Sequence, residues 1–362
     1  MKLLNDNINS SKECMTESKS CSINLECNNN VLELNKNICI VDLSYMTFTR
    51  FFAVRRWYEI KYSKDKPDWK IPDNHDWLKD TEFMEKYDKL FFEKLFKLCS
   101  KRHIPKHNII FVADCKHKDN WRVLSQTDYK GTRKDSHEKN KFHSFDIFPY
   151  VRDFIIKELQ EESRNIVLKQ EHLEADDVIA CLVKYLITKK NYTENITIIT
   201  TDKDYFQLCN SKVSCFDLSG KCVSSKVLIN FTNSKDYLLY KILLGDPSDN
   251  IPACYFSKEF LATANHNTKK DFVKATNSII TKVFNNTNNC KNLLLDYLDY
   301  VRDVNSKLLD EEELKNKWLN KFDIFNIITK DRQFESNARM IDFNNIPIKY
   351  ESLVVDLFNS VF

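Results

Sequence analysis

Glycine is almost missing from this chain: of 362 residues, only Gly131, Gly220 and Gly245 lack a side chain. That excludes glycine-rich phosphate loops and dinucleotide fingerprints, whose tight turns need several glycines at fixed spacing. No two of the twelve cysteines have CxxC spacing, which argues against a zinc ribbon. No apolar run reaches the length of a membrane span, and no signal-peptide pattern opens the chain. Cys39, Cys99 and Cys181 sit inside apolar patterns, so the cysteines are expected as reduced thiols in a soluble intracellular protein whose compartment is open. Net charge is nearly absent too. The 55 Lys and Arg against 52 Asp and Glu leave +3, so any nucleic-acid contact has to come from where the charges sit.

What is present is a globular composition, with 42% hydrophobic residues, enough for one large domain or two ordinary ones. Residues 1–36, rich in Asn, Ser, Lys and Cys without periodicity, predict a disordered extension. Short apolar, β-branched runs at 39–41, 109–113, 166–168 and 196–200 read as strands buried on both faces. Helical spacing at 81–101, 150–162 and 174–188 alternates with them, which predicts an α/β core over 37–233 built on a parallel, doubly wound sheet. From about 234 to 362 helical patterns dominate, at 235–244, 255–264, 268–284, 290–308 and 311–328, and a second, helical region is expected there.

The acids are distributed in an informative way. Asp42, Asp114 and Asp202 each close an apolar strand run, and Asp204 follows two residues after Asp202. In an open parallel sheet, ligand sites form outside the carboxyl ends of the strands. In the stretch EADDVIACLVKY, Val178, Cys181, Leu182 and Tyr185 share one helix face, and stepping back along it reaches Glu174 and Asp177, with Asp176 beside them. Carboxylates that continue a buried stripe need cations to stay ionised. A helix-dipole cap explains one such acid and not three. GDPSDNIP adds Asp246 and Asp249 after the helical run that ends at Leu244. Nine carboxylates (Asp42, Asp114, Glu174, Asp176, Asp177, Asp202, Asp204, Asp246, Asp249) without His or Cys at ligand spacing select hard ions. Two Mg²⁺ are expected, with Mn²⁺ as a substitute, in the arrangement used to cleave phosphodiesters.

Residues 116–141 hold eight Lys and Arg (Lys116, Lys118, Arg122, Lys130, Arg133, Lys134, Lys139, Lys141) against four acids. Such a run is commonly a solvated face. Starting directly after Asp114 and carrying Tyr129 among cations, it suits a phosphate backbone and a stacked base. Arg122, Tyr129, Lys130, Arg133 and Lys134 are the nucleic-acid-binding candidates.

Together, IVDLSYMTFTRFFA, FVADC, WRVLSQTDYKGTRKD, EHLEADDVIA, TTDKDYFQL, GDPSDNIP and NARMIDFNNIP resemble, in order, the blocks of the 5′→3′ exonuclease and flap-endonuclease family, most of all its phage ribonuclease H branch. The resemblance implies a PIN-like core with a helical arch at about 116–150, and a C-terminal DNA-binding domain with a helix-hairpin-helix. It implies a two-metal nuclease, monomeric, acting on DNA with 5′ ends or flaps and on RNA–DNA hybrids, and removing RNA primers in replication and repair. Asp114, Glu174, Asp176 and Asp202 would serve mainly one ion and Asp204, Asp246 and Asp249 the other. Asp42 and Asp177 would act through water. Lys130 and Arg133 would be catalytic, contacting the scissile phosphate, and Arg122 would guide the strand. The sequence departs from the family after GDPSDNIP, where ACYFSKE has no glycine, so the hairpin is expected in degenerate form. Two rivals remain: a PIN-like ribonuclease, and a nucleic-acid-binding relative without activity.

Overall fold

The structure, a computed structural model, describes residues 32–64, 68–72, 75–131, 146–157, 161, 165–228, 233–252 and 332–361. The four expected strand runs form β1 (Ile38–Asp42), β2 (Ile109–Val112), β3 (Ile166–Leu168) and β4 (Ile196–Ile199). A fifth, β5 (Val213–Phe216), was not anticipated. It is four residues long and interrupted by Ser214, so its apolar signal is weak. All pairings are parallel, in the order β3-β2-β1-β4-β5.

Alternation of side chains sends successive strand residues into two separate cores. Ile38, Ile40, Ile110, Val112, Ile196 and Ile198 pack under the Ala175–Thr188 helix. Cys39, Val41, Ile109, Phe111 and Ile199 pack against the Leu43–Ser63, Thr81–Phe91 and Glu93–Lys101 helices. The sheet is therefore covered on both faces. The Leu43–Ser63 helix was missed in the sequence because its apolar residues do not gather on one clean face. The helical pattern at 81–101 is two helices joined at Phe92, whose ring packs edge-on against Phe91 and Phe111. Helix expected from 150 begins earlier, at Ile147–Tyr150, and passes into a π-helical turn, Val151–Ile155.

Two boundaries differ from expectation. Leu32 is buried in the core and Glu33 pairs its backbone with Asn108, so order begins before residue 37. At the other end, Phe343, Ile346, Tyr350, Val354 and Phe358 join the core beneath Ala175–Thr188, and Tyr185 donates to Asn359 at 2.7 Å. The Arg332–Ile341 and Ile348–Val361 helices thus pack onto the α/β body. Helices expected at 255–328, the degenerate hairpin and residues 132–145 of the arch lie outside the described residues. Among the described residues, no helix is long and apolar enough to cross a membrane.

Candidate active site

Strand order decides where the acids meet. β1 lies between β2 and β4, so the winding reverses at the β1–β4 pair, whose carboxyl ends border a crevice. Asp42 ends β1, and Asp114 and Asp202 lie just beyond β2 and β4. Asp42 caps the next helix by accepting from the Tyr45 backbone N–H at 3.0 Å, while its other oxygen accepts from the Tyr205 hydroxyl at 3.0 Å. Asp114 accepts from the Ala175 backbone N–H at 2.8 Å and from the Ser44 hydroxyl, tying three segments to one carboxylate. Asp202 accepts from the Asp204 N–H at 3.0 Å.

These carboxylates share one field. Burial raises the pKa of the Tyr205 hydroxyl, and the charges of Asp42, Asp176, Asp202 and Asp114 raise it further. Burial, then the neighbouring Asp114 and Asp202, push the Asp42 carboxyl up to about 7, against the hydrogen bonds from Tyr45 and Tyr205. Asp176 is likewise driven well above the usual carboxylate range by burial and by Asp177 and Glu174. This rim carries more negative charge than its surroundings neutralise.

The EADD cluster divides. Asp177, 0% exposed, turns inward and takes a two-pronged contact from Arg122, with both N–O distances 2.7 Å, plus the Trp121 indole N–H at 2.9 Å. Arg122 itself is 2% exposed, and its Nε donates to the Met340 carbonyl at 2.9 Å. The buried stripe did require a cation beside Asp177, and that cation is a guanidinium. Two expectations are corrected here: Arg122 is too buried to guide a strand, and Asp177 has its oxygens engaged away from the rim.

Glu174 faces a different cation. Lys130 Nζ is 2.5 Å from its carboxylate, and the Tyr129 hydroxyl donates to it at 2.9 Å. Burial would raise the pKa of Glu174, but Lys130 and Arg122 outweigh it and hold it at about 2. The Tyr129 hydroxyl lies 3.1 Å from Asp249, and its ring, 2% exposed, packs with Ile242, Ile251, Met340 and Ile341. The expectation of a base-stacking Tyr129 is corrected by that burial. Lys130 has φ +57, a left-handed conformation costly for a residue with a side chain, and its N–H donates to the Asp249 carbonyl at 3.0 Å. Arg133 and Lys134 lie outside the described residues.

A third cation stands between Asp204 and Asp246. Lys241, on the Ser234–Leu244 helix, places Nζ 2.6 Å from the first and 2.7 Å from the second. Burial pushes Asp204 up to about 6 despite Lys241, with Asp202 and Asp246 adding to it. For Asp246, burial is outweighed by Lys241 and Ser248, which lower its pKa. Gly245 makes this turn possible. At φ +67, a Cβ there would stand 2.4 Å from the carbonyl oxygens of Ile251 and Pro252. Lys241 and Tyr205 were not singled out in the sequence. A lysine inside an ordinary helix carries no signal, whereas Tyr205 stands directly after Asp204 and could have been read from that adjacency.

Residues 37–234 match the family model described as 5′-3′ exonuclease, N-terminal resolvase-like domain. The chain belongs to this 5′-3′ exonuclease family. Among relatives of this exonuclease-family chain, the thermostable DNA polymerase I of Thermus thermophilus is 31% identical over 123 residues, 32% of this chain and 14% of that protein. A 5′-3′ exonuclease of Buchnera aphidicola is 34% identical over 83 residues, 22% of this chain and 28% of that protein. The matched regions therefore span well under two thirds of these relatives' lengths. The structure also aligns with the T5 D15 protein co-crystallised with metal ions, at a TM-score of 0.50 and 16% identity, over 90% of this chain and 98% of that one. That likeness concerns the fold.

Among the described residues of this exonuclease-family chain, no group of three His, Cys, Asp or Glu side chains is disposed to hold a metal ion as it stands. The donor chemistry nevertheless fits hard divalent ions. The rim is carboxylate oxygen, and burial together with the charges of Asp114 and Asp202 raises the pKa of Asp42. Lysine ammonium groups stand against the remaining acids, Lys130 at Glu174 and Lys241 between Asp204 and Asp246.

Proposed function

We propose that the chain is a metal-dependent, structure-specific 5′ nuclease. It hydrolyses phosphodiesters at 5′ ends and flaps of DNA and in RNA–DNA hybrids, including RNA primers, during replication or repair. The observation that carries this reading is the gathering of Asp42, Asp114, Asp176 and Asp202 about one buried tyrosine at the switch point of the sheet. Family membership and the DNA polymerase I relatives support it, as do the metal ions present in the T5 D15 crystals.

In this reading Asp42, Asp114, Asp176 and Asp202 would hold one Mg²⁺ and Asp204 and Asp246 a second, with Mn²⁺ as a substitute. The Tyr129 hydroxyl bridges Glu174 and Asp249, the remaining candidates, and Lys130 contacts both. Bound ions of this kind supply a lowered pKa for a water and neutralisation of the departing 3′ oxygen. The chain's own residues do the rest. The Ala175 and Tyr45 N–H groups and the Tyr205 hydroxyl fix the orientation of Asp114 and Asp42. Lys130 and Arg133 would offer cations to charge developing on the phosphate, and Lys134 would bind the nucleic-acid backbone. Asp177 and Arg122 hold the scaffold.

A substrate panel tests this: a 5′-flap duplex, an RNA–DNA hybrid and single-stranded RNA, each with Mg²⁺ and with EDTA. The expected result is Mg²⁺-dependent cutting of the flap and hybrid, leaving 5′ phosphates and 3′ hydroxyls. Cleavage of single-stranded RNA alone would identify a PIN-like ribonuclease. Binding without cleavage of any substrate would identify a silent relative.

A further inference from the structure

Among the described residues, Lys241 makes the most enclosed lysine ion pairs outside the basic segment. Its side chain is 13% exposed, and the two carboxylates it touches, Asp204 and Asp246, are each 16% exposed. They come from separate stretches, one after β4 and one in the turn that follows the Ser234–Leu244 helix. The helix carrying Lys241 has anchors besides these two ion pairs. Tyr237 packs against Phe206 with ring centroids 5.6 Å apart, and Asn337 Nδ2 donates to the Ile242 carbonyl at 3.0 Å. An ammonium held between two carboxylates performs the two tasks of a bridging cation, since it cancels their repulsion and fixes their separation.

We infer that Lys241 is the resident counter-ion of the Asp204–Asp246 pair, a positioning residue that keeps the pair assembled before a divalent ion binds and competes with that ion for it. This rests on the metal-dependent reading above. The two positive charges cannot share the same pair of oxygens without repulsion, so a dication entering there displaces the ammonium. Lys241 thereby weakens ion affinity at this position and in return maintains the ion-free site.

The test is calorimetric titration of the full chain with Mn²⁺, without nucleic acid, together with thermal melting in EDTA, for wild type, Lys241→Gln and Lys241→Arg. Lys241→Gln should bind Mn²⁺ about tenfold more tightly at one site, the scale of losing one competing charge. It should also melt at a lower temperature in EDTA. Lys241→Arg should stay near wild type in both. Adding Asp246→Asn to Lys241→Gln removes the repulsion the lysine cancelled, so the double variant should recover ion-free melting even if the single variant folds poorly. Unchanged or weaker Mn²⁺ binding by folded Lys241→Gln would overturn the inference, as would a double variant no more stable than the single. Those outcomes, with wild type binding Mn²⁺, leave the nuclease reading standing. A wild type that binds no Mn²⁺ would sink both.

Discussion

The buried pair between Arg122 and Asp177 gives the sharpest prediction, because sequence pattern and geometry assign Arg122 opposite roles. Replacing it with Met removes both 2.7 Å contacts and leaves Asp177, 0% exposed, with only the Trp121 indole N–H at 2.9 Å and the Glu174 backbone N–H at 3.3 Å. Stranding one member of a buried ion pair costs about 3–5 kcal/mol. The lost bond to the Met340 carbonyl adds about 1 kcal/mol. With a urea dependence of about 3 kcal/mol per molar, the unfolding midpoint should fall by roughly 1–2 M. Arg122→Met/Asp177→Leu removes the orphaned charge, so it should regain most of that loss, since exchanging a whole buried pair for apolar groups is often near neutral. Urea unfolding followed by circular dichroism measures both. The reasoning is refuted if the double variant is no more stable than Arg122→Met. It is refuted equally if Arg122→Met keeps wild-type stability and only weakens nucleic-acid binding, which is what a strand guide would do.

Other expectations follow from the same geometry. Asp176→Asn should cut Mg²⁺-dependent flap cleavage by at least about a hundredfold while leaving the fold intact by circular dichroism, because it removes a rim carboxylate whose contact with Arg122, at 3.9 Å, is far looser than the 2.7 Å Arg122–Asp177 pair; near-normal turnover would contradict its assignment. Lys130→Ala should lower kcat far more than flap affinity if the ammonium acts on transition-state charge, and single-turnover kinetics separate the two. The pKa of Asp42, about 7, and that of Asp204, about 6, lie above their unfolded values. Their contribution to stability is therefore present below about pH 4 and is lost as pH rises through 6 to 7. In EDTA these two groups should lower the melting temperature across that window, and Mg²⁺ at 100 times its dissociation constant should return about 2.7 kcal/mol at the upper end; an identical Mg²⁺ effect at pH 5 and pH 7.5 would count against it. Gly245→Ala should destabilise the GDPSDN turn by more than about 1 kcal/mol and weaken Mn²⁺ binding, since φ is +67 and the added carbon meets two carbonyl oxygens.

The sequence by itself determined the existence of the sheet and the placing of acids at its strand ends. Four of the five strands are short runs of β-branched residues, and a residue buried on both faces of a sheet leaves that mark wherever it pairs. It also determined that Asp42, Asp114 and Asp202 stand at strand ends and that Glu174 and Asp177 continue a buried stripe, because helix and strand periodicity are local properties. Only the tertiary structure decided which cation each acid meets. Arg122 and Lys130 reach Asp177 and Glu174 from segments far away in the chain, and Lys241, only five residues before Asp246, reaches Asp204 from a separate segment; no local pattern encodes the long-range contacts. The strand order that puts β1 beside β4, and the return of Phe343–Phe358 to the core, are decisions of the same kind. They depend on how whole elements pack against one another, and a chain read residue by residue carries that information only in sum.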